Sequence, residues 1–309
     1  MTESSTSGLL LRGLKGSNPL GFLAALGTAA TAARIWPSLR WGWSEESGDW
    51  IPELRGCTDN PADFAGQLHE FAVKQPQPVW DIDNQLPFAA STFRNSLVHH
   101  QATASASNRT MIDLLAGLGS EVHAQDDGDF PDTRLRMIRK GDSANNGLPA
   151  YARSLRSNVE LKTLLRDLFQ PWEYRDDAAN LRWDPADDQR HALGWHDPRQ
   201  AAKKSVKTNS GANCLALESL ALLPTFSHSH GIATTGMGRS QHNREVFRWP
   251  IWRPAITLST TRSILSLAEL RDAPKHRNAL QRRGICVVYA SERRQQSKYY
   301  SNFCPAEPL

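Results

Sequence analysis

Cysteine is scarce in this sequence: four residues among 309, at positions 57, 214, 286 and 304. No two of them form a Cys-x-x-Cys pair, which argues against a zinc ribbon. Four dispersed thiols are also too few for a disulfide-rich secreted scaffold, and they are typical of a protein in a reducing compartment. We therefore expect a cytoplasmic protein.

Long apolar runs are absent as well. The longest lies between Pro19 and Trp36, and glycines, threonines and an arginine interrupt it before it reaches the roughly 20 apolar residues of a membrane helix. Residues 30–32 imitate a signal-peptide cleavage site. However, Asn18 followed by Pro19 predicts a helix N-cap with proline at the first helical position. We expect a buried helix here, and no membrane partner.

Familiar catalytic motifs are missing. The sequence contains no G-x-S-x-G and no H-E-x-x-H. Residues 231–240 (GIATTGMGRS) resemble a phosphate loop, but Met237 stands where the Walker pattern needs lysine. Beside Arg239 and Arg244, this stretch could still hold a phosphate through its backbone N–H groups. We predict no catalytic residue, no metal ion and no cofactor.

What the sequence does contain is the composition of an ordinary globular protein, with 39% hydrophobic and 22% charged residues. Helix-type and strand-type patterns follow one another without a regular βαβ rhythm, which predicts an α+β fold of mixed helices and short antiparallel strands. We predict a single unit over residues 1–309. The alternative is a division into an acidic, mostly helical part over 1–200 and a basic, strand-richer part over 201–309.

Local patterns predict several individual elements. Strands at 39–43 and 50–54 flank a Ser-Gly-Asp turn and predict a hairpin. Polar residues over 123–149 predict a surface excursion. Apolar spacing over 152–169 predicts one continuous helix. Residues 256–259 are predicted to be extended.

The net charge is small, because 36 Lys and Arg are balanced by 32 Asp and Glu to give +4. It is unevenly distributed. Residues 239–309 contain 13 basic and 5 acidic side chains, or +8, and the first 238 residues contain 23 and 27, or −4. A basic third joined to an acidic remainder favours a polyanion or an acidic protein as the binding partner.

Arginines mixed with tryptophans indicate nucleic-acid binding, because guanidinium groups grip phosphates and indole rings stack on bases. Residues 239–253 contain such a mixture with Trp249 and Trp252, for which core anchoring is the alternative role. Basic clusters at 203–207 and 293–298 extend it. The candidate nucleic-acid-binding residues are Lys203, Lys204, Lys207, Arg239, Arg244, Arg248, Arg253, Arg293, Arg294 and Lys298.

Histidines supply an enzyme alternative. His228 and His230 lie two residues apart, on one face of a strand, and neutral imidazole is a common metal ligand. The adjacent pair His196 and Asp197 could share a metal ion. These four residues make a metal-dependent nuclease the catalytic alternative.

Three groups of segments resemble the large-subunit-like proteins of Cascade effectors in the type I-U (also called I-G) CRISPR systems. The first group lies near the start of the chain, the second spans two central stretches, and the third closes the chain. They are residues 11–14 (LRGL) with 18–27 (NPLGFLAALG); 182–185 (RWDP) with 211–216 (GANCLA); and 247–252 (FRWPIW) with 284–285 (GI) and 300–303 (YSNF).

The resemblance implies an assembly role rather than an enzyme. Large subunits of such complexes help to recognise a short duplex motif and hold the displaced strand, while guide pairing reads the sequence. We therefore predict a non-catalytic nucleic-acid-binding subunit in antiviral defence, which contacts guide RNA or target DNA and other effector subunits. A protein-interaction scaffold without nucleic-acid contact is the second alternative.

Overall fold

The computed structural model describes residues 8–105, 109–124, 128–138, 147–186, 207–228, 231–295 and 301–309. Both helices and strands occur along these residues, and every strand pair among them is antiparallel. The predicted α+β fold class is confirmed.

The helices occupy both the first two-thirds and the last third of the chain. In chain order they are α1 (Pro19–Ile35), α2 (Pro61–Leu68), α3 (Ala90–Thr103), α4 (Thr110–Leu118), α5 (Leu148–Asn158), α6 (Leu161–Phe169), α7 (Ser210–Glu218), α8 (Leu258–Leu265) and α9 (Arg277–Arg282). A π-helical turn (His69–Lys74) continues α2, and 3-10 turns lie at Pro78–Asp81, Ser219–Leu222 and Ala268–Asp272.

The strands in the described part of the chain form three sheets. They are β1 (Leu9–Leu10), β2 (Arg40–Glu46), β3 (Asp49–Arg55), β4 (Thr225–His228), β5 (Gly231–Thr234), β6 (Met237–Arg239), β7 (Glu245–Trp252), β8 (Ile285–Gln295), β9 (Ser301–Phe303) and β10 (Glu307–Pro308). The first sheet has the order β1-β3-β2, the second has the order β10-β8-β7-β6 with β9 paired to β8, and β4 pairs with β5.

Helix α1 is the centre of the fold. The Asn18 side chain accepts a hydrogen bond from the Gly21 amide at 3.2 Å, so the predicted N-cap is confirmed. Almost every α1 residue before Ala33 is buried. At Gly27 the helix crosses α7 so closely that an added Cβ would overlap the carbonyl oxygen of Leu215. From Pro19 to Ala32 this mostly apolar helix, rich in small residues, is therefore covered on all sides.

The predicted hairpin is confirmed as β2 and β3, with Ser47 and Gly48 both at positive φ in the two-residue turn. Its indole rings pack against the second sheet, and Trp41 meets Trp252 with ring centroids 4.8 Å apart. Two backbone hydrogen bonds of 2.9 Å join Trp41 and Ile256, because the amide of each residue donates to the carbonyl of the other. The hairpin and β7 thus enclose one aromatic layer.

Two local predictions are wrong. Phe130 and Leu135, within the predicted surface excursion, are fully buried, because Phe130 stacks on Phe93 at 4.0 Å and Trp183 donates to the Leu135 carbonyl. The predicted single helix over 152–169 is two helices. They break at Val159, which is buried and whose carbonyl contacts His69.

The predicted extension over 256–259 is also largely wrong. Only Ile256 is strand-like, through its bridge to β2. Thr257 then N-caps α8 by accepting a hydrogen bond from the amide of Thr260 at 3.3 Å. A threonine cap outweighs the β preference of the neighbouring residues here.

Contacts join the early and late parts of the chain. Buried residues from both sides of residue 200 belong to one hydrophobic cluster. The Trp249 indole donates to the carbonyl of Gly16 at 2.8 Å. The predicted boundary at residue 200 lies outside the described residues, so the alternative division stays a prediction.

We expect Gly27→Ala to lower the free energy of unfolding by about 2–3 kcal/mol, because overpacking costs that much when backbone cannot move aside. The matched control is Gly66→Ala in α2, where an added Cβ meets nothing within 4 Å. That variant should be neutral or slightly stabilising. Urea denaturation of both variants measures the difference, and equal effects would contradict the close crossing.

Candidate nucleic-acid interface

Strand β7 positions the centre of the predicted basic and aromatic mixture. Trp249 and Trp252 are 0% exposed, and their indole N–H groups donate to the carbonyls of Gly16 and Trp41. Neither ring can stack on a base, so core anchoring is the correct alternative. Arg248 lies between Phe247 and Trp249 and points to the opposite face of the strand, because side chains alternate.

Several predicted arginines are engaged in ion pairs within the sheet. Arg293, with a side chain only 11% exposed, pairs with Glu245 and donates to the carbonyl of Arg136 at 2.8 Å. Arg244 pairs with Glu292 at 2.9 Å. Both pairs connect the region of β7 to β8, which gives these arginines a role in sheet pairing.

Two more predicted arginines contact nearby elements of the same surface. The guanidinium of Arg253 is 2.8 Å from Glu45 and lies over the ring of Trp50 at 5.4 Å, so it ties the second sheet to the hairpin. Arg239 donates to the backbone and side chain of Asn243 in the turn before β7. Both arginines remain exposed.

The remaining predicted cations are scattered. Lys207 is exposed and lies 3.9 Å from Asp177. Arg294 is exposed, and its side chain makes no hydrogen bond or ion pair with the described part of the chain. Lys203, Lys204 and Lys298 lie outside the described residues, as do His196, Asp197 and His230 of the nuclease alternative.

One cleft gathers basic and aromatic groups. It lies between the β4–β5 hairpin, β7 and the 3-10 turn after α8, and it has a volume of about 110 Å³. Arg248 and Arg271 both line it, together with Phe226, whose ring is 42% exposed. Sequence reasoning missed Phe226 and Arg271, since only the fold brings them to Arg248.

The guanidinium of Arg248 is half-buried at this cleft. Its single hydrogen bond within the described residues goes from Nη2 to the carbonyl of Arg239, at 3.2 Å. Burial lowers the pKa of Arg248, and the charge of Asp272 opposes that shift. At Gly238 an added Cβ would lie 3.0 Å from Nη1, so the glycine makes room for the side chain.

The glycine-rich stretch that resembles a phosphate loop does line this cleft, at residues 233–237. However, part of its backbone is already hydrogen-bonded within the fold. The Thr235 amide donates to the carbonyl of Pro224 at 3.0 Å, and the Gly236 carbonyl accepts from the amide of Arg248 at 2.8 Å. The loop therefore helps to shape the cleft, and the guanidinium groups of Arg248 and Arg271 are the charged donors beside it.

The described residues contain no group of three His, Cys, Asp or Glu side chains placed to hold a metal ion. His228 and His242 are both exposed. No helix within the same residues has the length and apolar character needed to cross a bilayer.

The segments that resemble Cascade proteins meet inside the fold. Asn18 donates to the buried carboxylate of Asp184 at 3.0 Å, and Asn302 donates to the carbonyl of the same residue at 3.3 Å. Tyr174 donates to the other carboxylate oxygen at 3.0 Å. No protein-family model and no curated protein matches this chain. The CRISPR resemblance therefore stays a prediction, carried by residues whose observed contacts hold the fold together.

Adjacent arginines on β8 provide a test of this description. We expect Arg293→Gln to lower the free energy of unfolding by about 1–3 kcal/mol, because the partly buried Glu245 loses its closest partner and keeps only Arg134, at 3.5 Å. Arg294→Gln removes an exposed charge and should change stability by less than about 0.5 kcal/mol. Thermal unfolding measures the midpoint temperature of each variant. Similar midpoints would contradict a stabilising ion pair between Arg293 and Glu245.

Proposed function

We propose that this chain binds nucleic acid without catalysing a reaction, and that the cleft beside Arg248 grips a backbone phosphate. One observation carries the proposal. Arg248 and Arg271 line the same cleft, and neither is hydrogen-bonded to a carboxylate among the described residues. They differ in this from Arg244, Arg253 and Arg293, which are paired with glutamates.

The size of the cleft supports a group rather than a whole molecule as its occupant. Its volume of about 110 Å³ is below the roughly 300–1,000 Å³ of pockets that enclose small molecules. One phosphate fits that space, and the rest of the strand would cross outside it. Phe226 at the rim offers a ring face on which a base can stack.

The wider charge distribution favours the same partner. The excess of positive charge over residues 239–309 would steer a polyanion to this part of the chain. Contacts of arginine with phosphate position a nucleic acid without reading its sequence. The proposed surface is therefore one for holding nucleic acid.

The resemblance of the sequence to Cascade large subunits supports a particular complex in which this binding would occur. We propose that the chain acts as a subunit of a type I CRISPR effector, where guide pairing supplies sequence recognition. Guide RNA or target DNA would occupy the basic surface, and the acidic first part of the chain would face partner subunits.

A reducing compartment fits the thiols. No disulfide joins any two of the four cysteines. Burial raises the pKa of Cys57 to about 11 and that of Cys214 to about 12, which keeps both as inert thiols. We propose a cytoplasmic location on this basis.

The test is fluorescence anisotropy with labelled single-stranded DNA, duplex DNA and RNA over a range of salt concentrations. We expect salt-dependent binding by the wild type. The double variant Arg248→Gln/Arg271→Gln should bind about tenfold more weakly at low salt, and its salt slope should be smaller by about 1 for each phosphate that it no longer holds.

The matched control is Arg55→Gln, which removes an exposed arginine paired with Glu53 in the first sheet. It should bind like the wild type. Absence of binding at low salt would contradict the proposed nucleic-acid binding. Full binding by the double variant would contradict only the role of the Arg248 cleft in it. Cleavage of the probes with Mg²⁺ would favour the nuclease alternative.

A further inference from the structure

A second, larger cavity lies on a different part of the molecule, where helix ends converge. The end of α1, the starts of α4 and α8, and the 3-10 turn after α7 surround it. Its volume of about 400 Å³ falls within the range of pockets that bind small molecules. The Arg248 cleft shares no lining residue with it.

Buried carboxylates form part of its wall, and arginines outnumber them. Asp113 accepts hydrogen bonds from Arg109 at 2.9 Å and from Arg262 at 2.8 Å. Glu218, only 2% exposed, is 3.4 Å from Arg156 and also accepts from Gln77. Each carboxylate thus has a guanidinium partner already, as buried charges require.

Arg34 is the additional cation at this cavity. Its Nη1 lies 3.8 Å from Glu218, beyond hydrogen-bond distance, and its side chain is 31% exposed. The guanidinium makes no hydrogen bond to any residue that the structure describes. Together with Arg109 and Arg262, it gives the wall of the cavity three positive charges against the two negative ones of Asp113 and Glu218.

The rest of the wall is apolar and made of short side chains. Ala30 and Ala33 of α1 and Ala221 of the 3-10 turn leave the space open, and Leu258 closes one side. The first residue of α4, Thr110, also lines the cavity, so the partial positive charge of that helix end adds to the arginines. This combination suits a ligand with an apolar body and an anionic end.

We propose that this cavity binds an organic phosphate monoester, with the phosphate held by Arg34 and Arg262 and the organic part packed on the alanines. A phosphate monoester offers three strong acceptor oxygens to the unused donors of these arginines, and its charge at neutral pH is close to −2. A carboxylate offers two oxygens and a single charge. The inference does not depend on nucleic-acid binding at the Arg248 cleft.

Isothermal titration of the full chain tests the site with a nucleoside 5′-monophosphate as probe, the unphosphorylated nucleoside and benzoate as comparisons. We expect the monophosphate to bind, and the nucleoside and benzoate to bind at least tenfold more weakly. Arg34→Gln removes donors that the fold does not use and should weaken the monophosphate about tenfold. Ala33→Leu should weaken it similarly by filling the space without changing charge.

Arg55→Gln is the matched control, since Arg55 lines neither site and its loss should leave monophosphate affinity unchanged. Arg248→Gln reports whether the monophosphate is held in the other cleft instead. The inference is overturned if the monophosphate does not bind, if benzoate binds equally well, or if affinity is lost in Arg248→Gln but retained in Arg34→Gln. Oligonucleotides with and without a 5′-phosphate then show whether the bound phosphate monoester belongs to the end of a strand or to a free nucleotide. Tighter binding of the phosphorylated form identifies a strand end, and binding of the monophosphate alone identifies a free nucleotide.

Discussion

Helix α1 is buried from Pro19 to Ala32 on every side, and the need to cover it constrains the rest of the molecule. Its small residues let α7 approach until only a glycine fits at position 27. Phe22 contacts the aromatic layer through Trp43 and Trp249. Close packing of this kind leaves little freedom in how the surrounding elements are arranged. The positions of the sheet, the cleft and the cavity follow from it.

The chemistry of this protein is dominated by how arginines are partnered. Glu45, Glu245 and Glu292 take up arginines that the charge pattern alone presents as available for a ligand. Within the described residues, guanidinium groups with unused donors line two concave sites, beside Arg248 and around Arg34. Net charge describes long-range attraction. The choice of partner for each guanidinium decides where a ligand can be held.

The sequence was sufficient to predict the elements whose signals are local. The Asn18 cap, the hairpin turn at Ser47 and the α+β class depend on residues within a few positions of one another. The break at Val159 and the burial of Phe130 depend on partners far along the chain, so periodicity misses them. The same limit applies to the site. Arg248 was identified by its neighbours in sequence, but Phe226 and Arg271 join it only through the fold.

The central position of α1 has a consequence for synthesis of the protein. The helix is translated before its cover, which comes from α7 and from Trp249, more than 170 residues later. Until those residues leave the ribosome, an apolar helix without its partners is exposed to other chains and to chaperones. The helix at the centre of the native structure is thus also one whose native contacts form late in synthesis.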